Sequence, residues 1–151
     1  MKKIVLWLQQ FAAFLRKNAG YGAVFLRIVF GVHLIYYTMV NGLGYEKIIE
    51  FSHFLEDKHI PYPLFNAFLS IGVQFICGIL LILGAGVRVL SALLLVNFMV
   101  AILMAHAGDP YSHYFPALHM IAISLFFLFN GAGPLSVDYL LSGRKKRHQR
   151  P

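Results

Sequence analysis

The chain has 151 residues, 59% of them hydrophobic and 13% charged, with a formal net charge of +7. An ordinary soluble domain carries about 25% charged residues, so this composition excludes one and indicates a membrane protein. The single cysteine, Cys77, excludes dithiol exchange within the chain, which needs a second thiol.

Residues 1–20 do not read as a cleavable signal peptide. Gln9 and Gln10 interrupt the apolar stretch, and no clean small-x-small site comes after it. Lys2, Gln9 and Arg16 recur every seventh residue, as do Lys3, Gln10 and Lys17. Two helical turns return to nearly the same face, so these residues form one polar stripe. The expectation is an amphipathic helix on the inner leaflet, with Trp7 at headgroup level and a break at Asn18-Ala19-Gly20. The alternative is an N-terminal extension of the first span.

Four apolar runs come next, at residues 21–41, 64–84, 89–107 and 114–130. A hydrocarbon core about 30 Å thick takes about 20 helical residues. The first two runs have that length and the third approaches it. The fourth is shorter, with Pro116 near its start, where a first helical turn tolerates proline. Segments 79–83 and 125–129 are apolar all round, so a soluble bundle with one polar stripe per helix does not fit.

Between the first two runs lies the larger outer loop, residues 42–62. Glu46, Lys47, Glu50, Glu56, Asp57 and Lys58 alternate there with Ile48, Ile49, Phe51, Phe54 and Leu55. That spacing predicts a short amphipathic helix, ended by Pro61 and Pro63. Residues 85–88 form a tight inner turn and 108–113 a short outer one. After the fourth run, Ser136 is placed to cap a short helical tail over 136–141. The fold class is therefore all-α: a four-transmembrane-helix bundle (21–141) with an N-terminal interfacial amphipathic helix (1–20) and a basic tail (142–151).

Charge is sorted by side. Lys2, Lys3, Arg16, Lys17, Arg27, Arg88, Arg144, Lys145, Lys146, Arg147 and Arg150 lie on one side, and only Lys47 and Lys58 on the other. Cytoplasmic loops retain Lys and Arg, so both termini are expected inside. This accounts for the positive charge without nucleic acid. A basic cluster beside a membrane suits anionic lipid headgroups.

The histidines sort the opposite way. His33, His53, His59, His106, His113 and His119 fall at or outward of the midplane, and only His148 inside. His33, Gln74, Asn97 and His119 put one hydrogen-bonding side chain on each span at similar depth. Polar groups in hydrocarbon face partners within the bundle. Two readings stay open: helix-holding hydrogen bonds, or a ligand pocket opening outward. His33, Tyr37 and Asn41 share one face by four-residue spacing. His106, Asp109 and His113 cluster with Tyr111 and Tyr114 at the outer mouth. A histidine-lined, aromatic-rimmed cleft suits a quinone headgroup, which needs donors for its carbonyls and flat apolar walls. His106, Asp109 and His113 also have metal-ligand chemistry, but their spacing matches no strict motif. Haem held between His33 and His119 is weaker still. Arg27, inside the first span, either snorkels to headgroups or pairs with Asp138, tying the first span to the chain after the fourth.

Several motifs resemble the DoxX family of small four-helix membrane proteins. They are the stretch from Gln74 to Arg88, with Cys77, Gly78, Gly84 and Gly86 within it, Arg27-x-x-x-Gly31, and His106 at the outer end of the third span. The most specific is Gly131-x-Gly133-x-Leu135-Ser136-x-Asp138. Where the family usually has a glutamate in the second helix, this chain has Gln74. Where it often has His-Gly and a later lysine, this chain has Tyr37-Thr38 and Asn41. A neutral amide cannot exchange a proton as a carboxylate does. The resemblance implies a bacterial inner-membrane protein, an accessory or quinone-facing subunit of a membrane redox system rather than a stand-alone enzyme. The rival readings are a non-enzymatic scaffold or assembly factor and, more weakly, a small-solute or ion carrier. The partners implied are the bilayer, anionic lipids at the basic tail and a redox protein, with homo-oligomers also open.

Overall fold

The long apolar runs form helices because no water competes for their backbone groups in a bilayer. The computed structural model describes residues 2–42 and 44–148, except the side chains of Lys2, Asn41 and residues 143–148. Asn41 as a site residue and the lipid-binding role of the basic tail thus lie outside the described residues. Helix α1 spans Lys2–Asn41, α2 Tyr45–Asp57, α3 Pro63–Leu83, α4 Val87–Val100, α5 Tyr111–Asn130 and α6 Val137–His148. Four helical stretches, Lys3–Val40, Pro63–Leu83, Val87–Ala105 and Tyr111–Asn130, are long and apolar enough to cross a membrane, and no strand occurs among the described residues.

Three details differ from the sequence expectation. Helix α1 is continuous through Asn18-Ala19-Gly20. The Asn18 side-chain Nδ2 donates to the Phe14 carbonyl one turn back, at 2.9 Å, on the helix surface. A glycine in a helix costs only about 1 kcal/mol, too little to break one that propagates on both sides. Second, the third span ends in a π turn, Ala101–Ala105, where the His106 amide donates to the Ala101 carbonyl at 3.0 Å. Third, α5 starts at Tyr111, so Pro116 is interior rather than in the first turn. Its missing N–H leaves the Ser112 carbonyl without the usual helical donor. The expected caps and turns are present elsewhere: Pro63 opens α3, and Ser136 Oγ accepts from the Tyr139 amide at 3.1 Å.

The helices pack as two pairs. Helix α1 lies along α3, and α4 along α5, while α1 and α5 barely touch. The α1–α3 pair crosses at two glycines. A Cβ at Gly31 would sit 2.7 Å from the Gly78 carbonyl, and one at Gly78 would sit 3.0 Å from the Gly31 carbonyl. The core between the pairs contains Phe30, Leu34, Leu81, Val87, Leu94 and Phe127, with the Phe30 and Phe127 rings 6.4 Å apart.

A polar clamp joins the pairs at the end of the bundle that holds the α3–α4 turn, the end expected from the charge pattern to be the inner one. Arg27 is 2% exposed and donates to the Ala132 and Leu135 carbonyls, each at 2.9 Å. Asp138 accepts from the Gly86 and Val87 amides at 2.7 and 2.9 Å, capping α4, and its own amide donates to the Gly84 carbonyl at 3.0 Å. These contacts make a tie between the first span and the chain after the fourth. It is made through backbone rather than by a direct Arg27–Asp138 salt bridge, because helix-end amides and turn carbonyls need those charges more.

Gly78→Leu should destabilise the bundle by about 1–3 kcal/mol through overpacking at the α1–α3 crossing. Gly72→Ala, with open space around it, should not lower the midpoint. Thermal unfolding in detergent reads both.

Candidate functional site: an outer cavity under an amphipathic roof

Outward of the clamp the two helix pairs diverge around a cavity of about 900 Å³. That falls within the range of small-molecule sites, roughly 300–1,000 Å³. Helix α1 contributes His33, Leu34, Tyr37 and Thr38; α3 contributes Asn66, Ser70, Val73 and Gln74; α4 contributes Leu93, Val96, Asn97 and Phe98. His106, just after the π turn, and His113, Pro116 and Met120 of α5 complete the wall. The extra residue in a π turn rotates the residues beyond it, and such turns recur at functional sites.

Helix α2 is the roof. Its apolar face, Ile48, Phe51, Phe54 and Leu55, packs on Ile60, Ala67 and Ala105. Lys47 and Glu50, 3.5 Å apart, lie over the cavity. A charged strap then fastens the roof to the opposite helix pair. The Lys58 ammonium donates to Asp109 Oδ1 at 2.9 Å, His106 Nδ1 lies 3.0 Å from Asp109 Oδ2, and His113 Nδ1 lies 4.0 Å from the same oxygen. Lys58 also stands 5.8 Å from the centre of the Phe54 ring, which tilts against His106 at 6.1 Å. The Lys58 hydrogen bond, then the His106 one, hold the Asp109 carboxyl below its ordinary range.

The cavity brings together most of the residues expected from sequence. His33 stacks beside Tyr37 with ring centres 6.4 Å apart. Gln74 is buried, and its Nε2 donates to Ser70 Oγ at 3.1 Å. Asn97 Nδ2 is buried without a hydrogen-bond partner. Two expected residues lie elsewhere. His119 is exposed, held by the Phe115 carbonyl at 2.9 Å and by the Phe115 ring, and does not line the cavity. Asp109 works in the strap rather than in the wall. A metal on His106, Asp109 and His113 would have to displace the Lys58 ammonium. Among the described residues no group of three or more His, Cys, Asp or Glu is arranged for a metal.

Sequence reasoning did not include Thr38, Ser70 or Asn66 in the wall. Ser70 was detectable, being one turn before Gln74 on the same face. Asn66 was less so, since its amide serves the Pro61 carbonyl at 2.7 Å.

The DoxX family model matches residues 22–107, from the middle of α1 to just past the π turn, and so spans most of the cavity wall. No curated protein and no solved structure matches the chain.

Because the Asp109 carboxyl is depressed, its contribution is complete above the unfolded value of about 3.9 and fades as pH falls through the lower folded value. Hydrogen exchange of the α2 amides, corrected for intrinsic rate, should therefore stay slow from neutral pH to about pH 4 and rise below it. In Asp109→Asn it should be raised across the whole range.

Proposed function

The chain belongs to the DoxX family of multi-pass membrane proteins, and on that basis we propose that it is an accessory, quinone-binding subunit of a membrane redox system. The observation that carries this reading is the roofed cavity between the helix pairs, with His33, Gln74, Asn97 and His106 set in largely apolar walls. A quinone ring is flat and apolar, with two carbonyl acceptors. Side-chain amides and imidazoles supply the matching donors. Gln74 cannot ionise, so at that position the wall binds and orients rather than exchanging protons. Electron transfer would need a redox partner protein, and the membrane would be a bacterial inner membrane with both termini cytoplasmic, as the sorted charges imply.

A scaffold or assembly role has its own supporting observation. Helix α1 is 40 residues long, about 60 Å at 1.5 Å per residue and so about twice the hydrocarbon thickness. Its first turns expose Ile4, Trp7, Leu8, Phe11 and Phe14 beside Lys3, Arg16 and Lys17. Such a surface suits an anionic inner leaflet or an apolar partner.

A benzoquinone bearing a decyl chain should raise the unfolding midpoint of the purified protein. His33→Ala and Gln74→Leu should each weaken its binding about tenfold, or about 1.4 kcal/mol. His119→Ala should leave it unchanged. No stabilisation of the wild type would remove quinone as the ligand.

A further inference from the structure

The cavity has a polar interior and a roof, and it also has an aliphatic side. Leu93, Val96, Val100 and Met104 succeed one another along one face of α4 and the π turn, and all four line the cavity. They are nonetheless largely exposed: Leu93 49%, Val96 61%, Val100 45% and Met104 45%. Leu69, facing them from α3, lines the cavity and is 50% exposed. A residue that is both wall and outer surface marks an opening. This one lies between α3 and α4, which share a tight turn at Gly84 and Gly86 and touch each other less than α1 touches α3 or α4 touches α5.

We infer that this gap is a lateral doorway to the outer leaflet, and that the cavity takes a membrane-resident amphiphile whose headgroup sits at the polar wall while its apolar chain leaves between α3 and α4. This rests on the ligand-binding reading above and adds the route and the class of ligand. Three observations support it. The stripe from Leu93 to Met104 is about 16 Å long at 1.5 Å per residue, close to half of a hydrocarbon core about 30 Å thick, and so matches one leaflet. Its side chains are aliphatic, so at membrane depth their exposed faces meet lipid chains rather than water. Entry from the aqueous side is obstructed by α2, packed down through Phe51, Phe54 and Leu55 and strapped by Lys58 to Asp109. A ligand chain in the doorway replaces a lipid chain there, so no apolar surface is left wet.

Two probes test this on the full chain in detergent or nanodiscs: a benzoquinone bearing a decyl chain and the same ring bearing a methyl group. Both should bind, the decyl form at least tenfold more tightly. Val96→Trp, in the doorway, should remove most of that advantage, bringing the ratio of decyl to methyl affinity close to one. Leu93→Trp should act in the same way, and each variant's unliganded unfolding midpoint shows whether it is folded. Equal affinities for the two probes, or full decyl advantage in both folded tryptophan variants, would overturn the doorway and leave the cavity reading intact. Binding of neither probe would overturn the quinone reading and the doorway with it. A doorway covered instead by a second copy would give a dimer by light scattering and no gain from the decyl chain, which also overturns the proposal.

Discussion

At the inner ends of the spans, helix-end amides and turn carbonyls must find partners within the protein, because the adjacent hydrocarbon offers none. Arg27 and Asp138 answer that constraint. One places two donors on the Ala132 and Leu135 carbonyls, and the other places two acceptors on the first amides of α4. Each satisfies one buried backbone group, the Ala132 carbonyl and the Val87 amide, that would be costly to leave unpaired. Together they gather α1, the α3–α4 turn and the chain after α5 into one knot. Everything else about the molecule's shape depends on that knot lying at one end.

With the inner ends gathered and the α1–α3 and α4–α5 pairs each closely packed, the free volume collects at the outer end. The π turn and Pro116 both border it. The fold closes this volume from above with a small amphipathic helix rather than with a fifth span. That roof is held by two kinds of force: apolar packing on Ala67 and Ala105, and a charged strap at Asp109. Beneath it, Asn97 keeps a buried donor unpartnered and Gln74 uses one side of its amide on Ser70. An unpaired buried donor is costly, and a bound acceptor would relieve that cost.

Much of this was legible in the residues. The four spans, the amphipathic outer helix and the Ser136 cap are consequences of hydropathy, spacing and turn chemistry. His33, Tyr37, Gln74, Asn97, His106 and His113 were recognisable as candidates because polar groups at membrane depth are few. His119 looked equivalent to His33 from its depth alone. Depth is a one-dimensional property, however, and the rotation of α5 turns His119 outward to Phe115. Asp109 was recognisable as chemistry-bearing but not as half of a strap, since its partner Lys58 is 51 residues away.

The sequence by itself determined that this is a multi-pass helical membrane protein with four spans, and which side chains are polar within them. Local composition and period suffice for those, because the bilayer makes each span satisfy its own backbone. Only the tertiary structure decided that α1 continues unbroken into its first turns, that Arg27 and Asp138 serve backbone rather than one another, and that the helices form two pairs open at the outer end. Those outcomes depend on which helix faces which, and helix rotation and pairing are set by contacts between residues far apart in the chain.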